Sequence, residues 1–335
     1  MSAARLQSWI RMPRPRFVAI WPVTAALFAI SPLLAPGSLS STSLLDVLPF
    51  AGVLAIAAIG GTLVIQQGGL DLSVPGGISL GAVVVTIHAS GSGEILWITF
   101  ALLIGAAAGI VSGLAITWFR ITPIVATLAV NALLYGTVLS LTNGQSTHSA
   151  PAGLAAFCTG RTIGIPNLAL VAAATVVAAH LTVAITKSGR RFVAVGESKR
   201  AARVAGMRAG TFQIVTYGLA GLSYAAAGAA LAGYLQTPDL FVGDQYLLPT
   251  VSAVVLGGTS LLGGSGSIIA SGIAALFLTQ LQAVLAGLGA AASVQDIVEA
   301  LIIAVGMVVR LVPVSRARFW GERKGRNTPR PTEVS

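Results

Sequence analysis

The stretch QQGGLDLSVPGG, Gln66 to Gly77, decides how this chain is read. Four glycines, an aspartate, a serine and a proline interrupt a sequence whose flanks are apolar enough for lipid. Glycine lets a backbone reverse sharply, and proline suits the first turn of a helix, where its missing N–H costs nothing. Asp71 and Ser73 stand where side-chain oxygens can cap exposed N–H groups and where negative charge favours a helix N-terminus. The stretch therefore predicts a capped, tightly turned junction between two hydrophobic helices. Gly68, Gly69, Asp71, Ser73 and Pro75 are its turn and gating residues.

The flanks set the solvent. Of 335 residues, 55% are hydrophobic and 9% charged, and the mean hydropathy is +0.87, whereas soluble domains carry roughly 25% charged residues. Runs of about 20 apolar residues, long enough to span a bilayer, recur along the whole chain. They are too long and too uniformly apolar for barrel strands, so they are read as helices that satisfy their own backbone hydrogen bonds. The expected fold is all-α and polytopic, with about ten transmembrane segments. These are 17–35, 44–66, 72–90, 95–117, 122–142, 166–186, 211–235, 247–262, 268–288 and 294–312. Residues 1–16 and 313–335 are tails around a single transmembrane domain, 17–312. The first run follows RMPRPRF but exceeds the roughly 7–15 residues of a signal-peptide core, so it is read as a retained span. The single cysteine, Cys158, excludes an internal disulfide framework and is read as a small buried or loop residue.

The charges orient these segments. With ten spans, nineteen of the twenty Lys and Arg residues fall on one side, and Arg161 alone falls on the other. The positive-inside rule then puts both termini and the 187–210 loop in the cytoplasm. A net charge of +10 distributed in this way marks juxtamembrane loops rather than a nucleic-acid surface.

Little acid–base chemistry is left inside. His180, His88, Asp46, Asp296 and Glu299 lie within or near span ends, and the last two, three apart, share one helix face near an outer boundary, which suggests a solvated rim. No dense Asp/Glu/His relay of the kind a proton pump needs is present. There is no GxxxxGK[ST], HExxH or paired CxxC, so the chain is not expected to be an enzyme. It carries no metal or cofactor site of its own, and energy for uphill movement has to come from a partner. The 187–210 loop is the natural docking place. Within KSGRRFVAVGESKRAARVAGMRAGTF, Lys187 to Phe212, the segment Glu197–Met207 reads as a short amphipathic helix, with Gly210 as its stop. Such a helix can lie on anionic lipid or dock in a groove on another protein.

Four stretches taken in order resemble a known family. GGLDLSVPG, then TPIVATLAVNALLYGTVLSLTNGQ (Thr122 to Gln145), GRRFVAVGESKRAARVAGM, and AVVLGGTSLLGGSGS (Ala253 to Ser267) are similar to the ribose-type permease subunits of bacterial ABC sugar importers. The resemblance covers residues 45–312. It implies a cytoplasmic (inner) membrane permease that pairs with a second permease subunit. It also implies two ATP-binding subunits that carry ATP and Mg, and a periplasmic binding protein that delivers a sugar-like polar solute. The loop helix becomes the ATPase-coupling helix, with Glu197, Lys199, Arg200, Arg203, Val204 and Met207 on it. Some positions depart from the family. Ser198 stands for an asparagine, Ala205 for a serine, Met207 for an aliphatic residue and Pro75 for a glycine, while Leu247 and Pro249 stand where relatives carry acids.

A neutral polyol needs uncharged hydrogen-bonding groups along its route, so Thr62, Gln66, Thr127, Asn131 and Gln280 are candidate translocation-path residues. Gln282 is of the same kind. Thr127 and Asn131 are four apart and share a helix face. The alternative role for such residues is to tie helices together, as the small residues of Gly218–Gly233 do by close packing. An ion-coupled secondary transporter with broken helices is the runner-up reading. The scarcity of inner carboxylates and the large basic loop weigh against it, and the same loop weighs against a membrane scaffold without transport.

Overall fold

The computed structural model describes residues 15–87, 93–145 and 149–311. Most of the N-terminal tail, the C-terminal tail and His88 lie outside the described residues. A helical turn, Pro15–Val18, leads into α1 (Ile20–Leu34), followed by α2 (Ser41–Gln66), α3 (Val74–Ile87), α4 (Glu94–Thr117) and α5 (Pro123–Thr142). Next come the short α6 (Ala152–Thr159) and a β-hairpin, β1 (Arg161–Thr162) with β2 (Ile165–Pro166). Arg161 pairs with Pro166 and Thr162 with Ile165, and Ile163 and Gly164 between them both have positive φ, as a two-residue hairpin turn requires. The chain continues through α7 (Asn167–Ile185), α8 (Lys187–Glu197), α9 (Lys199–Val204), α10 (Ala209–Leu235), α11 (Leu247–Leu256), α12 (Ile268–Gly287) and α13 (Ala292–Leu311).

A helix lies in each of the ten expected segments, and six of the described helices are long and apolar enough by themselves to cross a bilayer. Burial sorts them into layers. The most apolar window of α2 is 89% buried and that of α10 is 67% buried, against 22% for α4 and 17% for α7. A helix apolar on every side belongs in the middle of a bundle. α2, α3 and α10 form that middle, α12 packs along α2, and α1, α4, α5, α7 and α13 surround them. Glycines allow the inner helices to approach backbone to backbone. A Cβ on Gly221 of α10 would overlap the Gly105 carbonyl of α4, and one on Gly228 would overlap the Ile78 carbonyl of α3.

Two segments are interrupted. The 67–73 junction separates α2 from α3, whose 14 residues make it short for a span. The expected segment 247–262 is helical only over its first ten residues, Leu247–Leu256. At 1.5 Å per residue such a helix is about 15 Å long, half of a bilayer core. The remainder of that segment, GGTSLL, belongs to a loop in which Gly258, Gly263 and Gly264 take positive φ. Before α11, residues 236–246 run back into the bundle from the end of α10. Gly243 N–H there donates to Ser79 Oγ at 3.0 Å, and the residue packs against the Pro75 carbonyl. The two interruptions therefore meet inside the bundle.

Candidate functional site

The loop between α7 and α10 is two helices rather than one. The Thr186 hydroxyl caps α8 by accepting from Gly189 N–H at 2.9 Å, and Phe192 and Val195, three apart, are buried against the bundle. Ser198 ends that helix and caps the next, accepting from Ala201 N–H at 3.2 Å. The expected continuous helix Glu197–Met207 is thus broken at its second residue. Glu197 is the last residue of α8, while Lys199, Arg200, Arg203 and Val204 lie on α9 and Met207 lies beyond it. Val204 and Met207 also part company. Val204 is 88% exposed, whereas Met207 packs on a small core of Val195, Ala202 and Ala209. Lys199 is half-buried, and desolvation, with Arg203 adding a like charge, lowers its ammonium below the ordinary lysine range.

Three glycine-rich stretches converge under α8. Gln67, at the C-cap of α2, donates from Nε2 to the Phe192 carbonyl at 2.7 Å. The Gln66 carbonyl accepts from Gly264 N–H at 2.8 Å, and Gly196 lies against the same carbonyl. Gly264 in turn packs on Glu197. Any side chain at Gly196 would collide with the Gln66 backbone, so the end of α8, the end of α2 and the 257–267 loop are in direct contact. Gly68, with φ +67°, closes α2. Its N–H bonds the Ile65 carbonyl at 2.9 Å, and Gly69 N–H bonds the Val64 carbonyl at 3.1 Å.

The junction beyond is held from the side. One carboxylate oxygen of Asp71 accepts from Ser73 N–H at 2.9 Å and from Ser73 Oγ at 2.6 Å, so the two residues bind each other. The free N–H groups at the start of α3 go elsewhere. Asn131 Oδ1 accepts from Gly76 N–H at 2.8 Å, and Thr127 Oγ1 accepts from Leu72 N–H at 3.0 Å. Thr127 and Asn131 do share a face of α5, and that face binds backbone donors that a sequence sees as four apart. Asp71 is buried, with Tyr224 beside it and the Tyr217 hydroxyl on the Leu70 carbonyl at 3.4 Å. Pro75 occupies the second residue of α3, in its first turn.

The remaining polar residues are spread through the bundle. Thr62 Oγ1 donates to the Ala58 carbonyl at 2.6 Å and lies 2.8 Å from Ser271 Oγ of α12. Gln66 is buried at the α2 terminus, and Gln280 of α12 reaches Ser31 Oγ of α1 at 3.3 Å. Glu299 corrects a sequence expectation. Asp296 is exposed, but Glu299 is 2% exposed, and its two oxygens accept from Ser252 Oγ of α11 at 2.8 Å and Gln282 Nε2 of α12 at 3.2 Å. It is a three-helix tie rather than a solvated rim, and a boundary count could not detect that α13 turns this side chain inward. Cys158 is buried against Gly233, and His180 is half-buried.

Apolar helices layered in this way, with interrupted segments at their centre and a basic helix pair against one end, define an all-α, multi-pass membrane protein. A family model described as the branched-chain amino acid transport system permease component matches residues 43–307, and the chain belongs to that family. The chain is 34% identical over 288 residues to the ribose import permease protein RbsC of Escherichia coli K12, covering 84% of this chain and 90% of that protein. To the autoinducer 2 import system permease protein LsrC of Yersinia enterocolitica it is 34% identical over 261 residues, covering 78% and 72%. No solved structure matches the chain. The protein is the permease subunit of an ABC importer, and ATP hydrolysis lies in separate subunits.

Proposed function

We propose that this chain forms the path for a sugar or sugar-like neutral solute across the bacterial cytoplasmic membrane. A periplasmic binding protein delivers the solute, and two ATP-hydrolysing subunits, which carry ATP and Mg, drive its movement. The chain works beside a second permease subunit. All ten segments cross the membrane, α11 together with the extended residues before it, which leaves both termini in the cytoplasm with nineteen of the twenty basic residues. The ribose and autoinducer 2 permeases among its relatives support a polyol-like cargo.

One observation carries the coupling reading. The end of α8 touches the end of α2 and the 257–267 loop through Gln67, Gly196 and Gly264, so displacement of α8–α9 reaches two inner elements at once. The ATPase docks on the exposed side of α9, where Arg200, Arg203 and Val204 point to solvent. An acidic partner surface there also relieves the desolvated charge of Lys199. Thr127 and Asn131 hold the 68–76 junction as a gate element beneath that contact, while Thr62, Gln66 and Gln280 tie the helices that flank the path. The test is co-purification of the chain with its ATPase, followed by hydrolysis stimulated by the binding protein. Arg203→Glu with Val204→Asp, both at exposed positions, is expected to abolish complex formation while the chain stays folded. Normal assembly and hydrolysis in that variant would refute the docking assignment.

A further inference from the structure

The meeting of the two interruptions leaves one constellation that, apart from Asn131, neither the junction nor the coupling helices use. Residues 236–246 run inward from the end of α10, and Gly243 lies on the Pro75 carbonyl and Ser79 Oγ at the start of α3. On α5, Tyr135 lies 12 residues beyond Pro123 and so about 18 Å along a helix of about 30 Å. The Tyr135 hydroxyl donates to the carboxylate of Asp244, and its ring meets Phe241 edge to face at 4.8 Å. Asn131, one turn earlier, adjoins the same hydroxyl, and Gln245 follows Asp244 in the 3-10 turn that opens α11. Asp244 and Gln245 are exposed, and Tyr135, Asn131 and Phe241 are half-exposed.

An exposed carboxylate halfway along the bundle does not face hydrocarbon, because a charge there is strongly disfavoured unless it borders water or protein. Residues 237–246 also contain non-helical backbone, which is tolerated at that depth only where protein covers it or where it lines a water-filled cavity. We propose that Asp244, Tyr135, Phe241, Asn131 and Gln245 form a mid-depth subsite in the translocation path that takes a neutral polyol. The proposal rests on the permease reading and adds the residues that meet the cargo. The carboxylate accepts from vicinal hydroxyls, the two amides offer both donors and acceptors, and the Tyr135–Phe241 pair presents aromatic surface to the C–H face of a sugar ring. The negative charge also disfavours an anionic cargo such as a free amino-acid carboxylate or a phosphate ester.

The experiment uses the complete importer in vesicles, with Cys158 replaced by alanine. Gln245→Cys is expected to react with a small water-soluble thiol reagent, while Val177→Cys, exposed on the outer face of α7, does not. Failure of Gln245→Cys to react would overturn the proposal and leave the permease assignment standing. The second arm offers an equimolar mixture of radiolabelled ribose, arabinose, xylose and galactose. Asp244→Asn is expected to reduce uptake at least tenfold, with co-purification of the ATPase and stimulated hydrolysis retained. Uptake within twofold of the parent in that variant would also overturn it. A parent importer that accumulates none of the four sugars would overturn both this subsite and the sugar reading of the permease.

Discussion

If α8 drives the bundle through Gln67, then replacing that residue should separate ATP hydrolysis from transport. Gln67→Met keeps the length and burial of the side chain and deletes the 2.7 Å bond from Nε2 to the Phe192 carbonyl. The side-chain carbonyl of Gln67 has no hydrogen-bond partner among the described residues, so its removal is not costly and partly offsets the lost bond. A net hydrogen bond contributes about 0.5–1.5 kcal/mol. If that energy biases the inner elements toward following α8, its loss changes the coupling equilibrium by about 2- to 13-fold, since 1.4 kcal/mol is a factor of ten. The assay is the ratio of sugar transported to ATP hydrolysed in vesicles, measured alongside the thermal midpoint of the purified complex. The expected result is a midpoint lowered by no more than a few degrees and a ratio reduced within that range. A parent-like ratio would show that α8 moves the bundle by some route other than Gln67.

Three further outcomes follow from the packing. Gly221→Leu places a side chain into the Gly105 carbonyl and forces α4 from α10, at a cost of about 1–3 kcal/mol or more. It is expected to lower the midpoint of the purified protein by several degrees. Asp71→Ala leaves the buried Ser73 N–H without its acceptor and costs about 1–3 kcal/mol, whereas Asp71→Asn keeps an acceptor and preserves fold and substrate affinity; loss of affinity in the Asn variant would move Asp71 from the junction to the cargo site. Ser252→Ala removes one of the two donors to Glu299 and is expected to destabilise by about 1–3 kcal/mol in chemical unfolding. Glu299→Gln in the same background should recover part of that loss, since a neutral amide needs fewer partners.

Much of this was legible in residue order. Segment length and apolarity anticipated an all-α chain with a helix in each expected segment, and the Gly-Gly-Leu-Asp-Leu-Ser run announced its turn, because those signals are local. The division of the coupling segment was also written locally, since Ser198 stands as a cap before Lys199–Val204, but good helix formers on either side of it masked the break. Long-range partners were not legible. Nothing in the spacing of Thr127 and Asn131 says that their oxygens bind Leu72 and Gly76, 55 residues earlier in each case. Residues 236–246 carry no helical periodicity, so their return into the bundle, and with it the position of Asp244, depends on the Gly243 contact with α3. The inward turn of Glu299 likewise depends on where α11 and α12 place Ser252 and Gln282.

The central claim is that this permease moves its cargo only through partners that hydrolyse ATP and act on α8–α9. The most direct test places the chain, its second permease subunit and the ATPase subunits in sealed vesicles. The binding protein and labelled sugar are supplied on the periplasmic side, and ATP with Mg on the other. Accumulation above the outside concentration that requires ATP and is lost with Arg203→Glu plus Val204→Asp is the predicted result. Accumulation in vesicles without ATPase, driven by an ion gradient alone, would contradict it.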